Sequence, residues 1–245
     1  MVSLGVDLNM QNEALDGSDD PVTCQAAVSS ALASIFRGKF CDLILPNRKA
    51  KTFKKYDVIY NIGDEERIFF FLQNGFVKVG TVAPDGQEVV YDVRKGGDVV
   101  GELCASDRAR PDRAVALEQT EAISVPFEEV MELLLMKPEL VAVLVDVFCR
   151  ALKEAYLHVN ILSMDDTVRR LINVLIGLAS KIGERSGSLV EIPTYLTQEE
   201  IAQMVAARRE RISTALNSLR RRGMVKYSTR GRLVLDVNAL EIYVA

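Results

Sequence analysis

A chain of 245 residues, 49% hydrophobic and 26% charged, is long enough for two domains and at least one sizeable core. Its single histidine, His158, excludes a histidine-rich metal site, and its four cysteines, Cys24, Cys41, Cys104 and Cys149, lack CxxC spacing and read as reduced and buried. The net charge of −4 hides an asymmetry: Leu196 to Ala245 holds nine Lys/Arg against five Asp/Glu, a balance of +4 that leaves −8 on residues 1–195, so any footprint for nucleic acid lies in the C-terminal fifth.

Residues 1–21 are polar and acidic with little periodicity, which predicts a flexible N-terminal segment. They carry no basic-then-apolar leader, and no apolar run reaches bilayer length, so the expectation is a cytoplasmic protein with no membrane partner. Val22 to Phe40 places Ala27, Val28, Ala31, Leu32, Ile35 and Phe36 at helical spacing, an amphipathic helix. From Lys49 to Val125 the period changes to two. Arg67 to Leu72 is a strand buried on both faces, Asn74-Gly75 is a hairpin signal, and Phe76 to Ala83 alternates. Pro84-Asp85-Gly86 turns into a strand over Gln87 to Arg94, and Gly96-Gly97-Asp98 turns again before VVGEL. Strands at this spacing predict an antiparallel barrel or sandwich.

Helical period returns at Phe127 to Leu135. Pro138 then opens a helix running to about Ser163, about 26 residues or ~39 Å. One apolar line on it runs through Val141, Leu144, Phe148, Ala151 and Ala155, a second through Leu140, Val143 and Val147. A helix with two apolar faces has two things to cover: one face suits the barrel, and the 3-4 alternation of the other suits a coiled-coil dimer. Asp165-Asp166-Thr167 caps the next helix, which ends in the Gly/Ser-rich GERSGS; VEIP follows as a short edge strand.

Leu196 to Tyr227 carries the strongest local signals. Thr197 and Glu200 form a capping box. Ile201, Ala202 and Val205 line one face of a short helix, and a break at Ala206-Ala207 leads to a second helix from about Arg208 with Ile212, Leu216 and Leu219 buried. Gly223 stops it after Arg220, Arg221 and Arg222. Two alternating segments around Arg230-Gly231 follow as a wing. A basic second helix after a tight turn, with a wing behind it, reads as a winged helix-turn-helix that binds double-stranded DNA.

A small barrel, a long helix, then LTQEEIAQMV and RRERISTALNSLRRRG in a winged helix: this order resembles the Crp/Fnr family of bacterial transcription regulators over roughly residues 30–240. The resemblance implies an α+β protein with an N-terminal cyclic-nucleotide-binding-type β-barrel (jelly roll), a long dimerisation helix and a C-terminal winged helix-turn-helix. The corresponding domains are a flexible segment 1–21, the barrel with flanking helices 22–137, the dimerisation helix 138–164 and the DNA-binding domain 165–245. It also implies a homodimer, a small-molecule effector and RNA polymerase as a partner. Arg209 and Glu210 match the family's base-reading Arg-Glu pair, able to contact guanine and the cytosine amino group respectively. Ser213 and Thr214 follow; Thr214 stands where the cyclic-AMP receptor subgroup has a second base-reading arginine, which predicts altered specificity. Thr197, Arg208, Arg211, Lys226, Arg230 and Arg232 fall to phosphate contacts.

The family's phosphate-binding cassette matches Gly101-Glu102-Leu103 with Cys104, and Arg113-Ala114. By that resemblance Glu102 accepts from a ribose hydroxyl, Arg113 pairs with a cyclic phosphate, and amides near Leu103, Cys104 and Ala114 add donors. Arg150 matches a base-proximal arginine on the long helix, whereas the adenine-contacting Thr-Ser pair is replaced by Glu154-Ala155. The effector expectation is therefore cAMP, cGMP or a cyclic dinucleotide. Against it stands a barrel in which Glu102 and Arg113 pair with each other, with Arg108 or with Arg110. An effector-independent architectural protein and a nucleotide-binding regulatory subunit are the competing readings. No nucleophile–base pair, metal motif or P-loop points to an enzyme, and the cysteine and histidine pattern suits neither an iron–sulfur nor a haem sensor.

Overall fold

The structure, a computed structural model, describes residues 41–105 and 109–244, apart from the side chains of Cys41, Ala105, Val147 and Arg150. The expected lead-in and the helix over 22–40 lie outside the described residues, as does Arg108. A short helix α1 (Cys41–Ile44) leads into eight strands: β1 (Lys51–Phe53), β2 (Val58–Tyr60), β3 (Ile68–Asn74), β4 (Phe76–Val82), β5 (Glu88–Lys95), β6 (Val99–Val100), β7 (Arg113–Ala116) and β8 (Thr120–Pro126). They form two antiparallel four-stranded sheets, ordered β1-β8-β3-β6 and β2-β7-β4-β5, the two halves of a jelly roll. Each strand's alternation divides its side chains between two cores. Phe69 and Phe71 pack outward with Val125 and the following helix α2 (Phe127–Met136), while Phe70 and Leu72 turn into the barrel with Val77, Val100 and Ala114. The both-faces burial expected of this run is what the two cores require.

Asn74-Gly75 does not make a hairpin. β3 pairs with β8 and β6, whereas β4 pairs with β5 and β7, so the turn carries the chain from one sheet to the other. Gly75 has φ +81, and a Cβ there would meet Thr120 Oγ1 at 2.4 Å, so the corner accepts only glycine. Pro84-Asp85-Gly86 is the hairpin, joining β4 to β5.

The long helix α3 (Glu139–Leu162) follows α2, and α4 (Thr167–Ile182) begins where Asp166 accepts a hydrogen bond from the Val168 amide at 2.8 Å. GERSGS does more than end α4. It supplies β9 (Glu184–Ser186), which pairs with β10 (Leu189–Glu191) and makes β10 an interior strand rather than the expected edge. The sheet β11-β12-β10-β9 is completed by β11 (Val225–Tyr227) and β12 (Leu233–Leu235). With α5 (Gln198–Val205), α6 (Arg209–Arg221) and α7 (Val237–Val244) it builds the C-terminal unit. Its core, centred on Leu171, Leu175, Ile201, Ile212 and Leu216, extends to Val90 and Val93 on β5 and to Leu117, so the C-terminal unit packs against the barrel. Among the described residues no helix is long and apolar enough to cross a membrane, and no cluster of His, Cys, Asp or Glu is placed to hold a metal.

Candidate nucleic-acid interface and ligand cassette

Three local devices bound α5 and α6 and shape the turn between them. Thr197 Oγ1 accepts from the Glu200 amide at 3.1 Å and the Glu200 carboxylate accepts from the Thr197 amide at 2.8 Å, the complete capping box. Ala206, the residue after α5, takes the left-handed conformation at φ 50, the position where glycine is easiest. Gly223, at φ +78, closes α6, and the Met224 amide reaches back to the Leu219 carbonyl at 3.1 Å. Ile212, Ala215, Leu216 and Leu219 are buried against α4 and α5, which fixes the opposite face of α6 toward solvent.

That outer face carries Arg209, Glu210, Arg211, Thr214, Asn217, Arg220 and Arg221, all exposed. No hydrogen bond or ion pair to another described residue ties up the side chains of Arg209, Glu210 or Arg211. Arg208 precedes the helix and is exposed, and Ser213 is half-buried. Lys226 and Arg230 stand exposed on the wing. Two expected phosphate ligands are otherwise engaged. Both Thr197 groups serve the capping box, and Arg232 lies 3.8 Å from Glu191.

In the cassette, the ion pairs are not the ones weighed from the sequence. Gly101 has φ +88, followed by a single 3₁₀ turn at Glu102–Ala105, and the Cys104 amide is spent on the Gly101 carbonyl at 3.2 Å. Glu102 faces neither Arg113 nor Arg110. It accepts from Arg94 at 3.3 Å, and Arg94 also meets Asp92 at 2.7 Å. Burial pushes the Glu102 carboxyl up, partly offset by Arg94. Arg113 instead pairs with Glu88 at 3.0 Å, and Glu88 is shared with Lys78 at 3.4 Å, which lies 3.8 Å from Glu200 of the capping box. Arg110 is the buried guanidinium of the loop. It donates to the carbonyls of Gly101 (3.1 Å), Glu66 (3.2 Å) and Ile68 (2.6 Å) and lies over the Tyr60 ring at 4.1 Å. Tyr60 in turn donates to the buried Asp112 at 2.9 Å, and burial raises both of their pKa values. Leu103 is exposed and Ala114 is buried in the barrel wall. Arg150 lies on α3, its side chain outside the described ones.

The recess beside Arg113 is lined by Lys78, Thr81, Glu88, Val90 and Val115, is small and lies open to solvent. Glu102 is not part of its wall. Sequence reading missed Glu88, Arg94 and Lys78, because their pairings depend on which strands neighbour β5 and β7. Nothing in the local pattern encodes that. The cysteines also divide: Cys104 is buried, with its thiol pushed up by burial, whereas Cys149 is exposed on α3, contrary to the expectation of burial.

Residues 50–136 match the cyclic nucleotide-binding domain family and residues 169–243 the Crp-like helix-turn-helix domain family. These two matches, in this order, fall on the jelly roll and on the winged helix. The chain belongs to the Crp/Fnr family of transcription regulators. Among its relatives is the CRP-like cAMP-activated global transcriptional regulator of Mycobacterium tuberculosis H37Rv, 28% identical over 189 residues, 77% of this chain and 84% of that protein. The global nitrogen regulator of Synechocystis sp. PCC 6803 is 26% identical over 197 residues, covering 79% and 87%. A transcriptional regulator of the CRP family from Thermus thermophilus superposes with a TM-score of 0.66 at 26% identity, over 79% of this chain and 96% of that one. The Crp/Fnr relatives are regulators and not enzymes, and this chain is a transcription regulator with a DNA-binding helix-turn-helix.

Proposed function

We propose that this Crp/Fnr protein acts as a homodimer that reads two DNA half-sites in successive major grooves and responds to a small effector in its barrel. The observation that carries the DNA reading is the outer face of α6, where Arg209 and Glu210 stand exposed and uncommitted at the head of a helix whose other face is locked into the core. Arg209 donates to guanine O6 and N7 and Glu210 accepts from a cytosine amino group, with Ser213 and Thr214 completing the base-reading set. Arg208, Arg211, Lys226 and Arg230 supply phosphate contacts, which makes affinity steeply dependent on salt. Residues 138–164 form the dimerisation element, and RNA polymerase is the partner the family role requires. An Arg209→Ala substitution is expected to cost about 1–3 kcal/mol of DNA affinity and to relax base choice at one position of a selected site. Unchanged affinity and sequence profile, measured by fluorescence anisotropy on a selected site library, would remove Arg209 from base readout.

For the effector, the cyclic nucleotide-binding domain match and the cAMP-activated relative support cAMP, with cGMP and a cyclic dinucleotide as variants of the same chemistry. Such a ligand meets a cassette whose charges are already satisfied: its phosphate displaces Glu88 from Arg113, and its ribose hydroxyl competes with Arg94 for Glu102. The same two ion pairs favour a second reading, a barrel that regulates without nucleotide. Calorimetry with cAMP, cGMP and a cyclic dinucleotide decides between them. Heat that vanishes with Arg113→Ala supports the ligand-gated form, and absence of heat with all three supports the effector-independent form.

A further inference from the structure

Thr214 lies one turn beyond Glu210 on the exposed face of α6. Its hydroxyl donates to the Glu210 carbonyl at 3.0 Å, so its only polar hydrogen is spent inside the helix. The helix cannot roll to present another side, because Ile212, Ala215, Leu216 and Leu219 hold the opposite face in the core. What Thr214 offers to a major groove is therefore chiefly its γ-methyl. In that groove only one standard base carries an apolar group: thymine, with its C5 methyl. We infer that Thr214 reads the thymine methyl, so that the half-site of this regulator carries a T·A pair next to the pair contacted by Glu210. The inference rests on the DNA-binding reading above and specifies its sequence chemistry: apolar contact, with no hydrogen-bond donor aimed at the base from this position.

The test uses the full chain. A preferred DNA site is selected in vitro, and each thymine in it is replaced singly by deoxyuridine, which removes the C5 methyl and nothing else. One position per half-site is expected to lose about fourfold in affinity, the worth of one buried methyl, and about fifteenfold when both half-sites are changed. Thr214→Ser, which keeps the hydroxyl and removes the methyl, is expected to abolish that sensitivity; Thr214→Val, which keeps a methyl and removes the hydroxyl, is expected to retain it. A selected site without a fixed thymine, or deoxyuridine sensitivity in Thr214→Ser equal to that of the parent protein, overturns this inference while leaving DNA binding intact. Failure to select any DNA overturns the DNA-binding reading and this inference together.

Discussion

His158 is half-buried on α3, and its Nε2 is buried with no hydrogen-bond partner among the described residues. Burial lowers its pKa, and the nearby Asp92 carboxylate opposes this without cancelling it. Asp92 is itself held by Arg94 and by Lys181 at 2.6 Å, and Lys181 also meets Glu154 of α3 at 2.7 Å. Asp92 therefore has little charge left to stabilise an imidazolium. The linkage has a definite sign. A histidine whose folded pKa is depressed contributes stability that is fully present above its unfolded pKa, about 6.5, and that is lost as pH falls through the lower folded value. Acidification below about pH 6.5 is thus expected to cost the parent protein more stability than it costs His158→Gln. Urea unfolding of both proteins at pH 7.5 and pH 5.5 measures this, and equal losses would mean that His158 remains solvated enough to titrate normally.

At the scale of single elements, the box that opens α5 is the clearest case of local sequence dictating local structure. Thr197 and Glu200 satisfy two donors that the helix N-terminus otherwise leaves unpaired. Thr197→Ala is expected to destabilise the protein by about 1 kcal/mol, within the ~0.5–2 range for lost caps, and Thr197→Ser to restore most of it. Thermal or urea denaturation reads the difference, and an Ala variant as stable as the parent would show that Glu200 is held by Lys78 alone. The same locality explains what was legible in advance. The capping box, the buried stripe of α6, the stop at Gly223 and the wing around Gly231 each lie within a few residues of their own signal, so the recognition unit could be read almost residue by residue. The barrel was legible as a class and not as a topology. Asn74-Gly75 looks like a hairpin turn because its flanks alternate, yet pairing is decided by strands far along the chain, and the turn proves to be a corner between sheets. GERSGS looks like a loop because nothing in it is apolar, yet it hydrogen-bonds as an edge strand on β10. The ion-pair partners of the cassette were not legible for the same reason. Gly101, Glu102 and Arg113 stand in recognisable order, but their ion-pair partners come from β5, whose neighbours no local motif names.

At the scale of the whole molecule, the outer line of α3 is an apolar face that no element among the described residues covers. Val141, Val145, Phe148, Leu152, Tyr156 and Val159 recur at intervals of three or four residues, and all are exposed, Tyr156 to 62% and Val159 to 61%. The opposite face of the helix is occupied: Leu140 is buried with α2, and Val143 packs against the same core together with Leu144, which the sequence pattern places on the line of Val141 and Phe148. Scattered exposed apolar residues are ordinary on a protein surface, but six in register along one helix make a continuous stripe of the kind that marks an interaction site. Under the homodimer proposed above, the occupant is a second copy of α3, because two half-sites about 34 Å apart call for two recognition helices related by a two-fold axis. Leu152→Glu, at the middle of the stripe, places one carboxylate against its symmetry mate and is expected to shift the protein to monomer in sedimentation velocity while its far-ultraviolet circular dichroism is unchanged. The monomer retains an intact α6 and still binds a half-site. What it loses is the second, tethered binding event, so affinity for a two-half-site DNA is expected to fall by about 10²–10⁴ while affinity for a single half-site stays the same. The steepness of binding against salt concentration falls with it, because each subunit brings its own phosphate contacts. A Leu152→Glu protein that remains dimeric, or one that becomes monomeric and keeps full affinity for the double site, would show that α3 is not the element that brings the two recognition helices together.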